Sequence, residues 1–340
     1  MAEHFVERRW ESTSALSRLL RIMLMPLSWL YLTGVLLRNV GYNRGWIRSH
    51  KLPLPTVSIG NLTVGGTGKT PIAAWLAARL VALGAHPAIL LRGYGADEPL
   101  VHKLLVPNAM VFSGADRVAS AAEARRLGAT VLVLDDAFQH RRARRDADVV
   151  ILSADRHRTI RMLPAGPWRE PEQSLRRATH IIVVRKRSSP LRAREVAEYA
   201  ACVAPAAKMS IVHLGADALV RWGGAERRPL TVLASKVVLA ISAIGDPRAF
   251  EGQLRETGAR TAPRTFPDHH AFSRKEVQRL AHEATGADFT VCTLKDAVKL
   301  GPVWPPSAPP LWYLSQIVSI ELGAEALDGL ARSLAALAHD

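Results

Sequence analysis

Residues 56–71 read TVSIGNLTVGGTGKTP, and the fold turns on this stretch. Residues 56–59 form a short β-rich run, a glycine-rich turn follows, and residues 71–83 have helical spacing with Pro71 in the first turn. Strand, loop and helix in this order let backbone N–H groups close around phosphate oxygens at a helix N-terminus. Thr63, Val64, Gly65, Gly66, Thr67 and Gly68 then form a phosphate cradle. Lys69 bridges the β- and γ-phosphates in catalysis, and the Thr70 hydroxyl ligates Mg2+. The strict pattern GxxxxGK[ST] asks for glycine where this chain has Thr63. A glycine-rich turn with a chance Lys-Thr gives the same letters, but the flanking strand and helix argue for the phosphate loop.

Outward from the loop, residues 88–91, 131–134, 149–152 and 181–184 are continuous apolar runs. Such runs suit strands buried on both faces, hence a mostly parallel α/β sheet covered by helices. The run at 131–134 ends in Asp135 and Asp136, the position of the carboxylate that holds Mg2+ or its water shell in phosphate-loop enzymes. Residues 209–214 and 218–222, separated by Gly215, Ala216 and Asp217, read as a hairpin linker. A second βα series follows: a strand at 237–241, helices at 247–257 and 273–284, a strand at 289–292, and an alanine-rich closing helix at 324–338. The expected division is an N-terminal segment 1–50, a phosphate-loop domain 51–208, a β-hairpin linker 209–230 and a C-terminal α/β domain 231–340.

Composition narrows the partners. The chain has 340 residues, 48% of them hydrophobic, and 45 Lys+Arg against 30 Asp+Glu, a net charge of +15. Disorder and collagen-like structure are excluded, and the length suits about two domains. Cys202 and Cys292 stand alone, which excludes a disulfide scaffold and offers no zinc spacing; no structural metal is expected. The charge suits phosphorylated small molecules, an anionic membrane face or nucleic acid. Aromatic residues at 6% are too sparse for base stacking, and the arginines are spread rather than gathered, so nucleic acid is not expected.

Residues 22–37 carry no charge but include Pro26 and Gly34 and are flanked by Arg21 and Arg38. The run is short for a span, and Glu3, Glu7 and Glu11 before it argue against a signal peptide. An interfacial helix fits, with Trp29 and Tyr31 at headgroup depth and Arg18, Arg21, Arg38 and Arg44 on anionic lipid; an apolar helix packed on the first domain is the alternative.

An ordered set of motifs now carries a family resemblance: residues 58–71, Arg92-Gly-Tyr-Gly95, Asp97-Glu-Pro99, Asp135-Asp-Ala-Phe-Gln-His140, residues 163–171 (LPAGPWREP), Phe266-Pro-Asp-His-His270 and Lys295-Asp-Ala-Val-Lys299. Together they resemble the tetraacyldisaccharide 4'-kinase family of lipid A biosynthesis, from about residue 26 to near the C-terminus. The resemblance implies transfer of phosphate from ATP to the 4'-hydroxyl of a tetraacylated disaccharide 1-phosphate by a peripheral monomer on the cytoplasmic face of the bacterial inner membrane. It implies a P-loop NTPase-like α/β/α sandwich and a smaller α/β/α domain, joined by a two-stranded β linker, with the active site between them. Asp97 matches the family's catalytic base and His269 the histidine that pairs with it; Glu98 and Asp136, with Asp135, resemble the magnesium carboxylates. Gln139, His140, Arg169 and Glu170 resemble residues lining the cleft around the substrate. The chain departs from the family pattern at Ala137 (usually Gly), Leu294 (usually Glu) and Ala96 (usually Gly), and in the short connection from Gly95 to Asp97. The rival reading is a membrane-surface ATP switch with a deviant Walker A loop, but its signature lysine would fall at Val64.

Overall fold

The computed structural model describes Trp10 and residues 14–93, 95, 97–155 and 160–339. Tyr94, Ala96, Glu3, Glu7 and Glu11, named above, lie outside the described residues. In chain order the elements are α1 (Ala15–Asn43), β1 (His50–Lys51), β2 (Thr56–Asn61), α2 (Lys69–Ala82), β3 (Pro87–Leu91), α3 (Asp97–Leu105), β4 (Met110–Ser113), α4 (Arg117–Arg126), β5 (Val131–Asp135), β6 (Ala143–Arg144), β7 (Ala147–Ser153), β8 (His180–Arg185), α5 (Pro190–Val203), β9 (Lys208–Arg221) and β10 (Arg227–Pro229). They continue with β11 (Val237–Ser242), α6 (Pro247–Glu256), β12 (Arg260–Thr265), α7 (Arg274–Ala284), β13 (Phe289–Thr293), α8 (Leu294–Leu300), β14 (Leu311–Leu322) and α9 (Ala324–His339).

The described residues fall into two compact units, one within Met1–Tyr94, His102–Val212 and Ile320–Asp340, the other within Gly95–Val101 and His213–Ser319. In the first unit the strands run β4-β3-β5-β2-β7-β8, and each of these pairs is parallel. Every residue of β2, β3 and β5 is buried, as the apolar runs of β3 and β5 require, and β2 buries Thr56, Ser58 and Asn61 as well. Helix α2 lies against β2, β3 and β5, so the loop before it opens at the carboxyl ends of the strands, where α/β sheets bind ligands. In the second unit β12, β11, β13 and β14 pair in parallel. Helix α7 starts with a capping box, Ser273 with Glu276, and buries Val277, Leu280, Ala281 and Ala284 at helical spacing.

Two expectations change. The turn expected at 215–217 does not form: β9 is one strand of 14 residues, and the reversal comes after it, where Arg227 pairs with Val220. Gly215 is not among the left-handed glycines, and Asp217 faces Arg227 and the Ser315 hydroxyl at 3.2 Å, so these turn-forming letters are absorbed into a strand. The second unit also does not run to the C-terminus. Strand β14 returns the chain to the first unit, and α9, expected to close the second domain, packs on α2 and β5 with Leu327, Leu330, Ala331, Leu334 and Ala335 buried. The chain therefore passes between its units four times: before Gly95, within α3 after Val101, within β9 and within β14.

The N-terminal run extends well beyond residues 22–37: α1 spans 29 residues with Pro26 inside it. It is held to the first unit on one side. Ser28 Oγ donates to the Met162 carbonyl at 3.1 Å and accepts from the Ala165 amide at 3.0 Å, and the Tyr31 hydroxyl donates to the Arg169 carbonyl at 3.2 Å.

Candidate active site

The phosphate loop takes its shape from glycines. Gly65 and Gly68 sit at φ 101° and 94°, left-handed conformations that side chains disfavour, and Gly68 caps α2. Thr63 needs no glycine, because among the described residues only Asp136, Ser235 and His269 hold positive φ without being glycine. Instead Thr63 bridges Trp168, and the Val64 amide donates to the Pro167 carbonyl at 2.8 Å. The 163–171 motif thus runs beside the loop. Asn61 Nδ2 donates to Thr67 Oγ1 at 2.8 Å, and Gln139 Nε2 donates to the Asn61 carbonyl at 2.6 Å. Thr67 and Thr70 are both buried. Lys186 Nζ donates to the Gly66 carbonyl at 3.1 Å.

Strand β5 delivers Asp135 and Asp136 in two different environments. Asp136, at φ 50°, receives both arms of the Arg169 guanidinium, Nη1 to Oδ2 at 3.0 Å and Nη2 to Oδ1 at 2.7 Å, and Lys69 Nζ lies 3.6 Å from Oδ1. Burial pushes the Asp136 carboxyl up, but Lys69 and Arg169 outweigh it and hold the group below the usual carboxylate range. Asp135 is buried, with His102 Nε2 3.0 Å from its Oδ2 and its Oδ1 without a hydrogen-bond partner. Sequence reading missed His102, which belongs to no motif quoted above.

Arg169 also meets the Asn61 side chain, so one guanidinium links the strand before the phosphate loop to Asp136. Glu170, its neighbour, does something else. It is completely buried, accepting from Asn39 Nδ2 at 2.8 Å, from Ser174 Oγ at 2.8 Å and from Arg38, with Arg177 3.6 Å away. These contacts fasten α1 to the first unit, and the structure gives Glu170 no open face toward a substrate. His140 is half-buried; burial, reinforced by Arg117 and Arg145, pushes its imidazole below its ordinary value and so toward the neutral form.

In the second unit the DEP and PDHH motifs meet. Asp97, in the first turn of α3, is buried, and its Oδ1 lies 3.4 Å from His269 Nδ1, while Oδ2 has no hydrogen-bond partner. The short connection from Gly95 therefore does not keep Asp97 from its histidine. Burial pushes the Asp97 carboxyl up, but the His269 hydrogen bond and charge, with Lys295 and Lys299, bring it down to about 2. The same hydrogen bond raises His269 above 6.5, against the opposing effect of burial. Glu98 faces Lys295 Nζ at 3.0 Å, which explains the lysine of the KDAVK motif: it neutralises the carboxylate beside Asp97. Asp97 is thus a buried carboxylate with one oxygen oriented by imidazole and the other bare, the arrangement of a proton acceptor for a hydroxyl.

Among the described residues, no group of three or more His, Cys, Asp or Glu converges on a metal position. That donor set suits Mg2+, which binds through one or two carboxylates plus nucleotide phosphates rather than in an all-protein cage. Asp135 meets the requirement best, since its Oδ1 is buried and unpartnered.

A family profile described as tetraacyldisaccharide-1-P 4'-kinase matches residues 20–101 and 96–334. Among curated relatives, the tetraacyldisaccharide 4'-kinase of Halorhodospira halophila is 38% identical, with alignment over 92% of this chain and 93% of that one. The enzyme of the same name from Geobacter metallireducens is 37% identical over 85% of this chain and 91% of its own. A crystal structure of LpxK from Aquifex aeolicus in complex with ATP superposes with a TM-score of 0.71 at 28% identity, over 93% of this chain and 99% of the other. The match takes in both units and every motif assembled above, and on that ground the chain belongs to the tetraacyldisaccharide 4'-kinase family.

Proposed function

We propose that the chain carries out its 4'-kinase reaction, phosphorylating the 4'-hydroxyl of tetraacyldisaccharide 1-phosphate from ATP, with Asp97 as the proton acceptor. The observation that carries this reading is the bare, buried Oδ2 of Asp97 beside an oxygen oriented by His269. A sugar hydroxyl is a poor nucleophile near neutral pH, so its proton must leave as the phosphoryl group transfers in line. Asp97, held ionised by His269 and the nearby Lys295 and Lys299, accepts that proton, and His269 orients it. Glycine amides of the loop and the Lys69 ammonium hold the ATP phosphates, the Val64 and Thr67 amides being bonded to the Pro167 and Gly65 carbonyls, while Arg169 keeps Asp136 in place beside Lys69. Mg2+, when bound, would neutralise charge developing on the β- and γ-phosphate oxygens, held by Asp135 and the Thr70 hydroxyl. Gln139 bonds the Asn61 carbonyl just before the phosphate loop, and with His140, which follows it, is read as lying on the substrate side of the site; Glu98, paired with Lys295, is a supporting carboxylate.

The same reading places the enzyme on a membrane surface. The face of α1 turned away from the unit exposes Leu19, Ile22, Met23, Leu27 and Leu30, with Leu30 71% exposed, and α1 meets the length and hydropathy of a membrane helix. With Arg18, Arg21 and Arg44 nearby, this favours shallow docking on anionic lipid at the cytoplasmic face, where ATP is available, by a peripheral monomer. The ATP switch has no such support from the relatives.

Two variants test the two halves. Asp97→Ala should lower kcat by about 10²- to 10⁴-fold with the KM for ATP little changed; retention of wild-type kcat would remove Asp97 from its role. Replacing Ile22, Met23 and Leu30 with Ser should abolish flotation with anionic vesicles while leaving the unfolding temperature unchanged, and undiminished flotation would refute docking through this face.

A further inference from the structure

His102 lies in α3, the helix that starts at Asp97, yet it belongs to the first unit, where it meets β5. Its side chain is completely buried, that of Asp135 is 4% exposed, and Nε2 lies 3.0 Å from Asp135 Oδ2. Two atoms of the pair, His102 Nδ1 and Asp135 Oδ1, are buried without a hydrogen-bond partner. Buried polar atoms are nearly always paired, so an unpaired carboxylate oxygen at a phosphate-loop strand end asks for a ligand. The main chain at this point is held separately: Arg117, buried, donates from Nη2 to the Asp135 carbonyl at 3.3 Å and from Nη1 to the Gly114 carbonyl at 2.8 Å. What remains free is rotation of the carboxylate itself. Among the described residues, His102 supplies the one side-chain hydrogen bond that stops it.

We propose that His102 is a positioning residue for phosphoryl transfer, its Nε2–H donating to Asp135 Oδ2 so that Oδ1 is presented bare and in fixed orientation to the nucleotide-bound divalent cation. The inference rests on Asp135 being the magnesium carboxylate. Donation from Nε2–H leaves Nδ1 as the unprotonated nitrogen, in keeping with its lack of an acceptor. An aliphatic side chain here would fill the same space and leave the buried carboxylate with neither oxygen bonded. Partners that orient a metal-binding side chain from behind are typically worth about 10- to 100-fold in metal affinity or activity.

The test compares His102→Leu, His102→Gln, His102→Asn and Asp135→Asn in the full-length protein. Binding of Mn2+ with a non-hydrolysable ATP analogue is read by electron paramagnetic resonance, and kcat by phosphate transfer. A glutamine amide nitrogen falls close to the place of imidazole Nε2, whereas an asparagine amide falls close to that of Nδ1 and cannot reach Asp135. Asp135→Asn should weaken Mn2+ binding by about 10-fold or more, and His102→Leu and His102→Asn should weaken Mn2+ binding and kcat together by about 10-fold or more. His102→Gln should restore most of both, with the KM for the lipid constant throughout. If Asp135→Asn loses Mn2+ and His102→Leu keeps it within about twofold, His102 only fills space and the inference is wrong. If His102→Leu fails to fold, equal losses in His102→Gln and His102→Asn overturn it equally. Unchanged Mn2+ binding in Asp135→Asn would instead refute the magnesium reading beneath it.

Discussion

A methyl group added at Gly95 tests the Asp97–His269 pair without substituting either residue. The Cβ of Gly95→Ala would lie 2.3 Å from Asp97 Oδ1 and 3.1 Å from His269 Nδ1. Ordinary contact needs roughly 3.5 Å, so the carboxylate must retreat by about 1 Å. The Oδ1–Nδ1 separation is already 3.4 Å, at the edge of a hydrogen bond, and such a retreat breaks it. Misplacing a reacting group by about 1 Å costs about 10²-fold in rate, or about 2.7 kcal/mol of transition-state stabilisation. The fold should survive, because the atoms met are the ends of side chains rather than backbone. Initial rates of label transfer from γ-labelled ATP to the tetraacyldisaccharide in mixed micelles give kcat, with thermal unfolding as the control. In a His269→Asn background the pair is already broken, so Gly95→Ala should cost much less there than in wild type. A wild-type kcat in Gly95→Ala, or fully additive losses in the double variant, would show that the pair is not what Gly95 accommodates.

Other consequences follow from single contacts. Arg169→Lys keeps the charge but loses the two-armed grip on Asp136, so kcat/KM should fall by about 10-fold or more, and near-wild-type kinetics would refute the bidentate role. The His269 imidazole, followed by NMR, should titrate above 6.5 and drop on Asp97→Asn. A raised pKa gives stability that is present below the unfolded value and lost as pH rises through the folded one, so wild type alone should lose this increment on the alkaline side of 6.5; identical titrations in both proteins would contradict the pairing. Glu170→Ala strands Arg38 and Arg177 without their buried carboxylate and should destabilise the protein by about 3 kcal/mol in denaturant melts, whereas a loss under about 1 kcal/mol would mean the clasp on α1 is dispensable.

What the sequence made legible was whatever a local pattern can encode. Residues 56–71 predict strand, loop and helix because glycine chemistry and apolar runs are local, and β2 and α2 stand where those letters place them. The Asp97–His269 pair was reachable only through resemblance, since 172 residues separate its members. Four things depended on tertiary contact alone. Helix α9 has an apolar stripe that would cover any sheet, so nothing in its letters says it packs on α2. Strand β12 is largely exposed and carries Arg260, Pro263 and Arg264, so no apolar run betrays it. Glu170 reads like a cleft residue beside Arg169, and only the arrival of Arg38 and Asn39 from α1 makes it a buried clasp. His102 has no sequence signal because its meaning lies in Asp135, on another element.

The most direct test of the account is whether phosphate from γ-labelled ATP appears on the 4'-oxygen of tetraacyldisaccharide 1-phosphate. The account predicts that wild-type protein with Mg2+ yields the 4'-phosphorylated product and that folded Lys69→Ala, which keeps Asp97 and His269 intact, yields almost none. A folded wild-type protein that hydrolyses ATP on plain anionic vesicles, yet leaves the disaccharide unlabelled, would contradict it.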